Sequence, residues 1–429
     1  MAQKSEQATE LLIDQPGRAF LTTLVALTFT MNLIARGVPE TFAVFLLPVQ
    51  KGLGVSRADI TLTYSVYMLA YGISGPFAGQ LVDRFGARLT YGLGLAFLGL
   101  GYLLAGLADG LWQYLLAVGL LGGLGASLLG MIVASALLSR WFTTRMGSVM
   151  SLPYAAIGAG MLVLPPLTQV LLSSYDWRVT HQILGGGVLL ALPLAMLLPL
   201  GRMTAGSPQW RSLRSPIFAS TTVPWRVSMA LRTSAFWGLF AAYLFTAVAA
   251  FSVMPHSVAY LIERGFHPLF AASAFGIAGM LSAIGIIAVG WLSDRFGRRQ
   301  TATFSYAFTI VGIIALALVS LWPTLALVYA FVFFFGLMQG ARGPIFIATV
   351  AALFPGGVGA VYGVLSLAQG LGAGFGSWGS GLLYELTGSY IASFGLAICA
   401  ALAGLSMFWV VGSLREDMAA ATAKPLSAR

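Results

Sequence analysis

Apolar runs recur from one end of this chain to the other, interrupted only by short stretches bearing Gly, Pro or Arg. Each run is about twenty residues, the length at which a helix crosses the roughly 30 Å hydrocarbon core of a bilayer. In lipid every backbone N–H and C=O must find a partner within the protein, so a spanning segment is either a helix or a strand of a closed barrel. Barrel strands are about ten residues long and alternate in polarity, and no such alternation occurs here. Composition agrees, because 58% of the residues are hydrophobic and 8% charged, against roughly a quarter charged in a soluble domain. The fold class is therefore an all-α polytopic membrane protein.

Twelve spans are predicted, over residues 18–48, 58–82, 87–108, 111–139, 146–173, 179–200, 234–262, 269–293, 300–320, 323–354, 360–386 and 389–412. The connections alternate in charge. With the amino terminus inside, seventeen Lys and Arg fall on inner segments and four (Lys51, Arg57, Arg178 and Arg264) on outer loops, as the positive-inside rule requires. Residues 1–17 and 413–429 then read as cytoplasmic tails. The 201–233 stretch, with five arginines and no acid, reads as a cytoplasmic linker facing anionic lipid. It divides an amino-terminal bundle, 18–200, from a carboxyl-terminal bundle, 234–412. The net charge of +10 is thus mostly topology, and a nucleic-acid partner is not expected, since no soluble basic module is present. The expected location is a bacterial-type inner membrane, with both termini cytoplasmic and the chain acting as a monomer.

The two halves echo each other. GQLVDRFGARLT (79–90) and GWLSDRFGRRQT (290–301) align at an offset of 211, and SRWFTTRMG aligns with ALFPGGVG at 212. Two pseudo-symmetric six-helix bundles follow, the plan of transporters that rock two repeats about a central site. The repeated pattern, G-x-L-x-D-R-x-G-x-R, resembles the signature of the major facilitator superfamily. The resemblance implies conformational gating by Asp83, Arg84 and Arg88 in the first copy and by Asp294, Arg295 and Arg298 in the second. More narrowly, GVPETFAVFLLPVQKGLGVSRADI, WFTTRMGSVMSLPYAAIGAG with YDWRVTHQILGG, and AQGLGAGFGSWGSGLLYELTGSY are similar to segments of monocarboxylate transporters and of the oxalate and formate exchangers. That likeness implies a small organic anion as cargo. The family's cations are not inherited in place: Glu40 stands where monocarboxylate transporters carry a lysine, Ile286 where both groups carry an arginine, and Gln369 where the exchangers carry a lysine.

A charge at mid-bilayer costs at least about 2.5 kcal/mol, so such charges mark sites or relays by default. Arg36 and Glu40 lie in the first span, with Asn32 on the same helical face. They form either a permanent structural pair or an ionic gate that an anion or a proton opens. Arg342, in the tenth span, has no acid in its own segment, and its guanidinium fork suits a carboxylate. It is the expected anion anchor, with Arg36, Asn32, Tyr67, Tyr154, Gln339 and Gln369 completing a substrate cavity. Glu40 and His256 are the candidates for proton coupling. His181 and His267 read as loop-edge residues. No metal site, cofactor or catalytic residue is expected: the glycine-rich stretches follow no strand and so are not dinucleotide loops, there is no H-E-x-x-H, and Cys399 has no second cysteine to bridge. The function read from sequence is secondary active transport of a monocarboxylate or short dicarboxylate, by proton symport or anion exchange. Efflux of a drug or hydrophobic metabolite is the alternative.

Overall fold

A computed structural model describes residues 17–142, 146–207, 227–354 and 358–412. The predicted tails apart from Gly17, most of the 201–233 linker, and residues 143–145 and 355–357 lie outside the described residues. All regular structure among the described residues is helical. In the first half the helices are α1 (Arg18–Glu40), α2 (Phe42–Leu53), α3 (Arg57–Ala105), α4 (Leu111–Tyr114), α5 (Gly122–Leu129), α6 (Met131–Leu138), α7 (Met146–Ser174), α8 (Trp177–Met196) and α9 (Leu200–Ala205), with a π-helical turn over Leu115–Leu121 between α4 and α5. In the second half they are α10 (Val227–Ala230), α11 (Ser234–Phe251), α12 (Met254–Glu263), α13 (Pro268–Phe296), α14 (Arg298–Leu318), α15 (Leu325–Met338), α16 (Gly343–Leu353), α17 (Val358–Thr387) and α18 (Ile391–Val410).

Among the described residues ten helical stretches are long and apolar enough to cross a membrane. One of them, α3, runs 49 residues, about 73 Å at 1.5 Å per residue and more than twice the hydrocarbon thickness. It cannot be one crossing, and it breaks at Gly86, where φ is 81° and ψ 174°, a conformation open essentially to glycine alone. Gly297, the same residue in the second motif copy, sits at φ 85° between α13 and α14. Divided at Gly86 and with the 30-residue α17 added, the runs are consistent with twelve crossings.

Four crossings are interrupted at mid-length: the first at Thr41 just after Pro39, the fourth at Gly130, the seventh at Ser252 and Val253, and the tenth from Gln339 to Arg342. Thr41 and Ser252 are 211 residues apart, as are Gly86 and Gly297, so the duplication seen in the motif extends to the backbone. A broken helix leaves carbonyls without helical donors. At the first break Val38 O receives, besides the Thr41 N–H at 3.2 Å, the Thr41 hydroxyl (2.6 Å) and, from α3, the Tyr102 hydroxyl (2.8 Å).

Within the first half α1 packs on α7 and α3 on α8; within the second, α11 packs on α17 and α18, and α14 on α15. The halves meet where α3 lies against α17, α7 against α13, and α2 against α12. These contacts depend on missing side chains. A Cβ on Gly158 of α7 would lie 3.1 Å from Gly279 O of α13, and one on Gly381 of α17 would lie 2.4 Å from the Thr61 hydroxyl of α3. Close approach of small residues is how helices associate where lipid offers no hydrophobic drive.

Candidate functional site

The two buried arginines expected from sequence have different surroundings. Arg36 Nη2 lies 3.1 Å from Glu40 Oε1, one turn along α1. Glu40 is 2% exposed and Arg36 20%. Tyr64 of α3 places its hydroxyl 3.3 Å from each Glu40 oxygen, and its ring is 5.5 Å from that of Tyr67. Tyr67 is itself buried, and its hydroxyl has no hydrogen-bond partner. Asn32 does not join the pair, because its amide donates backward to Thr28 O at 2.8 Å. The polar stripe is therefore a pair plus a self-satisfied helix residue.

Arg342, at the start of α16, is 5% exposed. Its Nε donates to Ser305 Oγ at 2.9 Å, and Nη2 donates to the Thr309 hydroxyl and weakly to Ser305 O at 3.4 Å. Ser305 and Thr309 are one turn apart on α14, and the guanidinium stacks 4.2 Å over the ring of Tyr306 between them. Tyr306 is held by the Thr246 hydroxyl of α11 at 2.5 Å. Among the described residues no carboxylate pairs with Arg342. Its partners are hydroxyls, a carbonyl and a π face, which solvate a cation without neutralising it. The side chain points from the tenth crossing into its own half, toward α14.

A second polar group lies in the second half, facing the first. The Tyr243 hydroxyl of α11 donates to Gln369 Oε1 of α17 at 2.9 Å and lies 3.2 Å from that of Tyr362. Tyr71 of α3 and Tyr154 of α7 come within electrostatic range of Tyr243 and Tyr362. Tyr71, Tyr154, Tyr362 and Gln369 are all partly exposed, as is Arg36, so three phenols, an amide and a guanidinium border one gap between the halves. Gln339 turns elsewhere and donates to Met254 Sδ at 2.8 Å.

His256, fully buried on α12, bridges Tyr390 and the Ser377 carbonyl. His181 is not the loop-edge residue expected: it is fully buried in α8, between the Tyr114 hydroxyl (3.2 Å) and Trp177 O (2.8 Å), with its ring 3.7 Å from that of Phe45. His267 does cap a helix end, accepting from Leu269 N. Of the motif residues, Asp83 pairs at 2.6 Å with Arg140 of its own half. Arg84 and Arg88 border a surface cleft with Asp83 and Thr204, and Arg295 stacks over Trp291. Arg298 Nη1 is buried without a hydrogen bond, and the side chain of Asp294 lies outside the described residues. No group of three His, Cys, Asp or Glu able to hold a metal occurs among the described residues.

Sequence reasoning missed Arg57, Glu263, Tyr390, Tyr243, Tyr362 and Arg140. In the sequence Arg57 reads only as an outer-loop charge. A signal existed in Glu263, the one acid between Asp176 and Asp294.

Discontinuous apolar helices in duplicated halves, with polar side chains gathered where the halves meet, are the plan of a membrane transporter. The chain belongs to the Major Facilitator Superfamily, whose family model matches residues 19–377. It is 27% identical over 416 residues to monocarboxylate transporter 13 of Rattus norvegicus, covering 94% of this chain and 91% of that one. It is 28% identical over 389 residues to human monocarboxylate transporter 11, covering 86% and 78%. Among solved structures, a peptide transporter in complex with sulfate superposes with a TM-score of 0.74 at 16% identity over 96% of this chain and 99% of that one. A D-xylose–proton symporter superposes at 0.71 and 16%, covering 91% and 98%.

Proposed function

We propose that this protein is a secondary active transporter that carries a small organic anion, a monocarboxylate or short dicarboxylate, by alternating access between two six-helix bundles. The observation that carries the reading is Arg342, a guanidinium buried at the break of the tenth crossing with only neutral partners. An uncompensated charge in such surroundings costs several kcal/mol, and a visiting carboxylate would offset that cost with a bidentate, charge-assisted contact. Two of its nitrogens are engaged by hydroxyls that an anion can displace. The kinship with monocarboxylate transporters supports the same cargo class.

In this reading Arg36 faces the gap beside Tyr71, Tyr154, Tyr362 and Gln369 and guides the anion inward, while Glu40 or His256 takes the coupling proton. The membrane is the bacterial-type plasma membrane, with the amino terminus, the linker and the motif turns at Gly86 and Gly297 on the cytoplasmic side. The Glu263 end then faces outward. Reconstitution into proteoliposomes tests the reading. A carboxylate gradient should drive uptake that Arg342→Gln reduces at least tenfold, and undiminished uptake by that variant would remove the anchor. Export of a hydrophobic compound is a second reading, favoured by the largely phenolic border of the gap. Drug resistance conferred on a host, with no carboxylate-induced thermal shift of the purified protein, would support it instead.

A further inference from the structure

At the Glu263 end one side chain ties the halves together. Arg57, in the first turn of α3, is 6% exposed although it begins a helix at the edge of the membrane. Its Nε donates to Gln50 Oε1 at 2.8 Å within its own half. The other contacts cross to the second half: Nη2 donates to Glu263 Oε1 at 2.8 Å, Nη1 donates to the Tyr390 hydroxyl, and the guanidinium lies 4.4 Å over the ring of Tyr384. The Tyr384 hydroxyl also donates to Glu263. A few residues further along α3, the Ser65 hydroxyl donates across to Gly374 O at 2.6 Å. The Asp83–Arg140 pair at the other end of the same crossing, just before the break at Gly86, stays within one half.

The contact continues inward in one direction. His256 Nε2 is 3.0 Å from the Ser377 carbonyl, which can only accept, so the proton of the neutral ring sits on Nε2. Nδ1 then accepts from the Tyr390 hydroxyl at 3.2 Å. The Tyr390 oxygen in turn accepts from Arg57. The chain Glu263, Arg57, Tyr390, His256, Ser377 is satisfied with a single cation and a single anion.

We propose that Arg57 is the clasp that shuts the central gap at the Glu263 end, and that a proton taken up on His256 releases it. Protonation gives Nδ1 a hydrogen, so Tyr390 can no longer donate to it. Two cations then face one phenol oxygen with one carboxylate between them, in surroundings of low dielectric. The groups around His256 offer no relief. Tyr390, Tyr384 and Tyr260 are neutral phenols, and Glu263 is already engaged by Arg57. Arg264, the next residue, is a further cation lying over the Tyr260 ring. Of the helices packed on α12, α2 carries only the exposed Lys51, α17 only the exposed Glu385, α11 no charge and α13 none before Asp294. The second half therefore lets go of Arg57, and the outer ends of α3 and α12 part. The clasp rests on the alternating-access reading but on no particular cargo.

The test is a distance measured in cargo-free protein. With Cys399 replaced by Ala, spin labels at Lys51→Cys and Leu269→Cys, exposed positions on the two halves at this end, report their separation by double electron–electron resonance. At about pH 8 the distribution should be short, and at about pH 5, below the ordinary histidine range, it should shift to a longer separation. Arg57→Ala should give the long separation at both pH values. Arg57→Glu combined with Glu263→Arg should restore the short one at high pH, which separates a lost clasp from a misfolded protein. His256→Gln, whose amide can still donate to Ser377 and accept from Tyr390, should stay short at both. A short distance retained in Arg57→Ala would overturn the clasp. An acid shift undiminished in His256→Gln would overturn its release by that proton. Because no cargo is present, an error in the proposed anion leaves these outcomes unchanged.

Discussion

Each half of the molecule buries an arginine near a helix break, and the halves treat it in opposite ways. In the first, Arg36 has a carboxylate one turn away and some contact with the gap. In the second, Arg342 has two hydroxyls and an aromatic face, and it is nearly sealed. The first arrangement is neutral in itself, so it can persist in an empty protein at little electrostatic cost. The second carries a net charge that dipoles solvate only in part. A paired arginine and an unmatched one thus lie near helix interruptions in the two halves of a duplicated scaffold, and the asymmetry marks the second as the place where charge is still wanted.

The largest effect should come from breaking the pair on one side only. Glu40→Gln leaves Arg36 without its counter-charge and should lower stability by about 2–4 kcal/mol, discounted from a fully buried pair because Arg36 touches solvent. Arg36→Gln with Glu40→Gln should recover most of that loss, as thermal unfolding in detergent would register. If both mutants melt alike, the pair is not what holds the two residues. Next comes Arg342→Gln, for which uptake should fall at least tenfold, about 1.4 kcal/mol of anion binding, while thermal stability holds or rises because a desolvated charge is gone. Arg342→Lys should not rescue uptake, since the planar fork is lost. Removing the solvating hydroxyls with Ser305→Ala and Thr309→Val together should cost about 1–3 kcal/mol of stability and raise the KM for anion severalfold. The smallest change is expected of Asn32→Ala, about 0.5 kcal/mol or less in melting and none in uptake, because that amide serves only its own helix.

Much of this architecture can be read from residue order because membrane physics is unforgiving. Apolar runs of fixed length, arginine placement and the DRFG copies lead directly to crossings and duplication. The interruptions at Thr41 and Gly130 are harder to read, since Pro39 and the glycines around 122–130 resemble many harmless ones in a chain with 52 glycines. The site was legible to the extent that it is local. Arg36 and Glu40 are neighbours on one turn, and their pairing follows from spacing alone. The solvation of Arg342 depends on α14, 33 to 37 residues earlier, and no helical periodicity connects those segments. Arg57 and Tyr390, 333 residues apart, are brought together only by the packing of α3 and α2 against the second half. His181 reads as a loop residue because it lies four residues into a helix that begins at Trp177, yet Phe45 and Tyr114 enclose it.

The four broken crossings affect how recognition in this molecule can be dissected. At the interruptions the N–H groups of Thr41, Gly130, Val253, Ala341 and Gly343 close on carbonyls three residues back instead of the helical four, and no codon change deletes a peptide group. Scanning side chains one by one will therefore miss part of what holds the interruptions, and with them Arg342, in shape. Amide-to-ester replacement at 341 and 343, beside Arg342, would reveal the share held by the main chain.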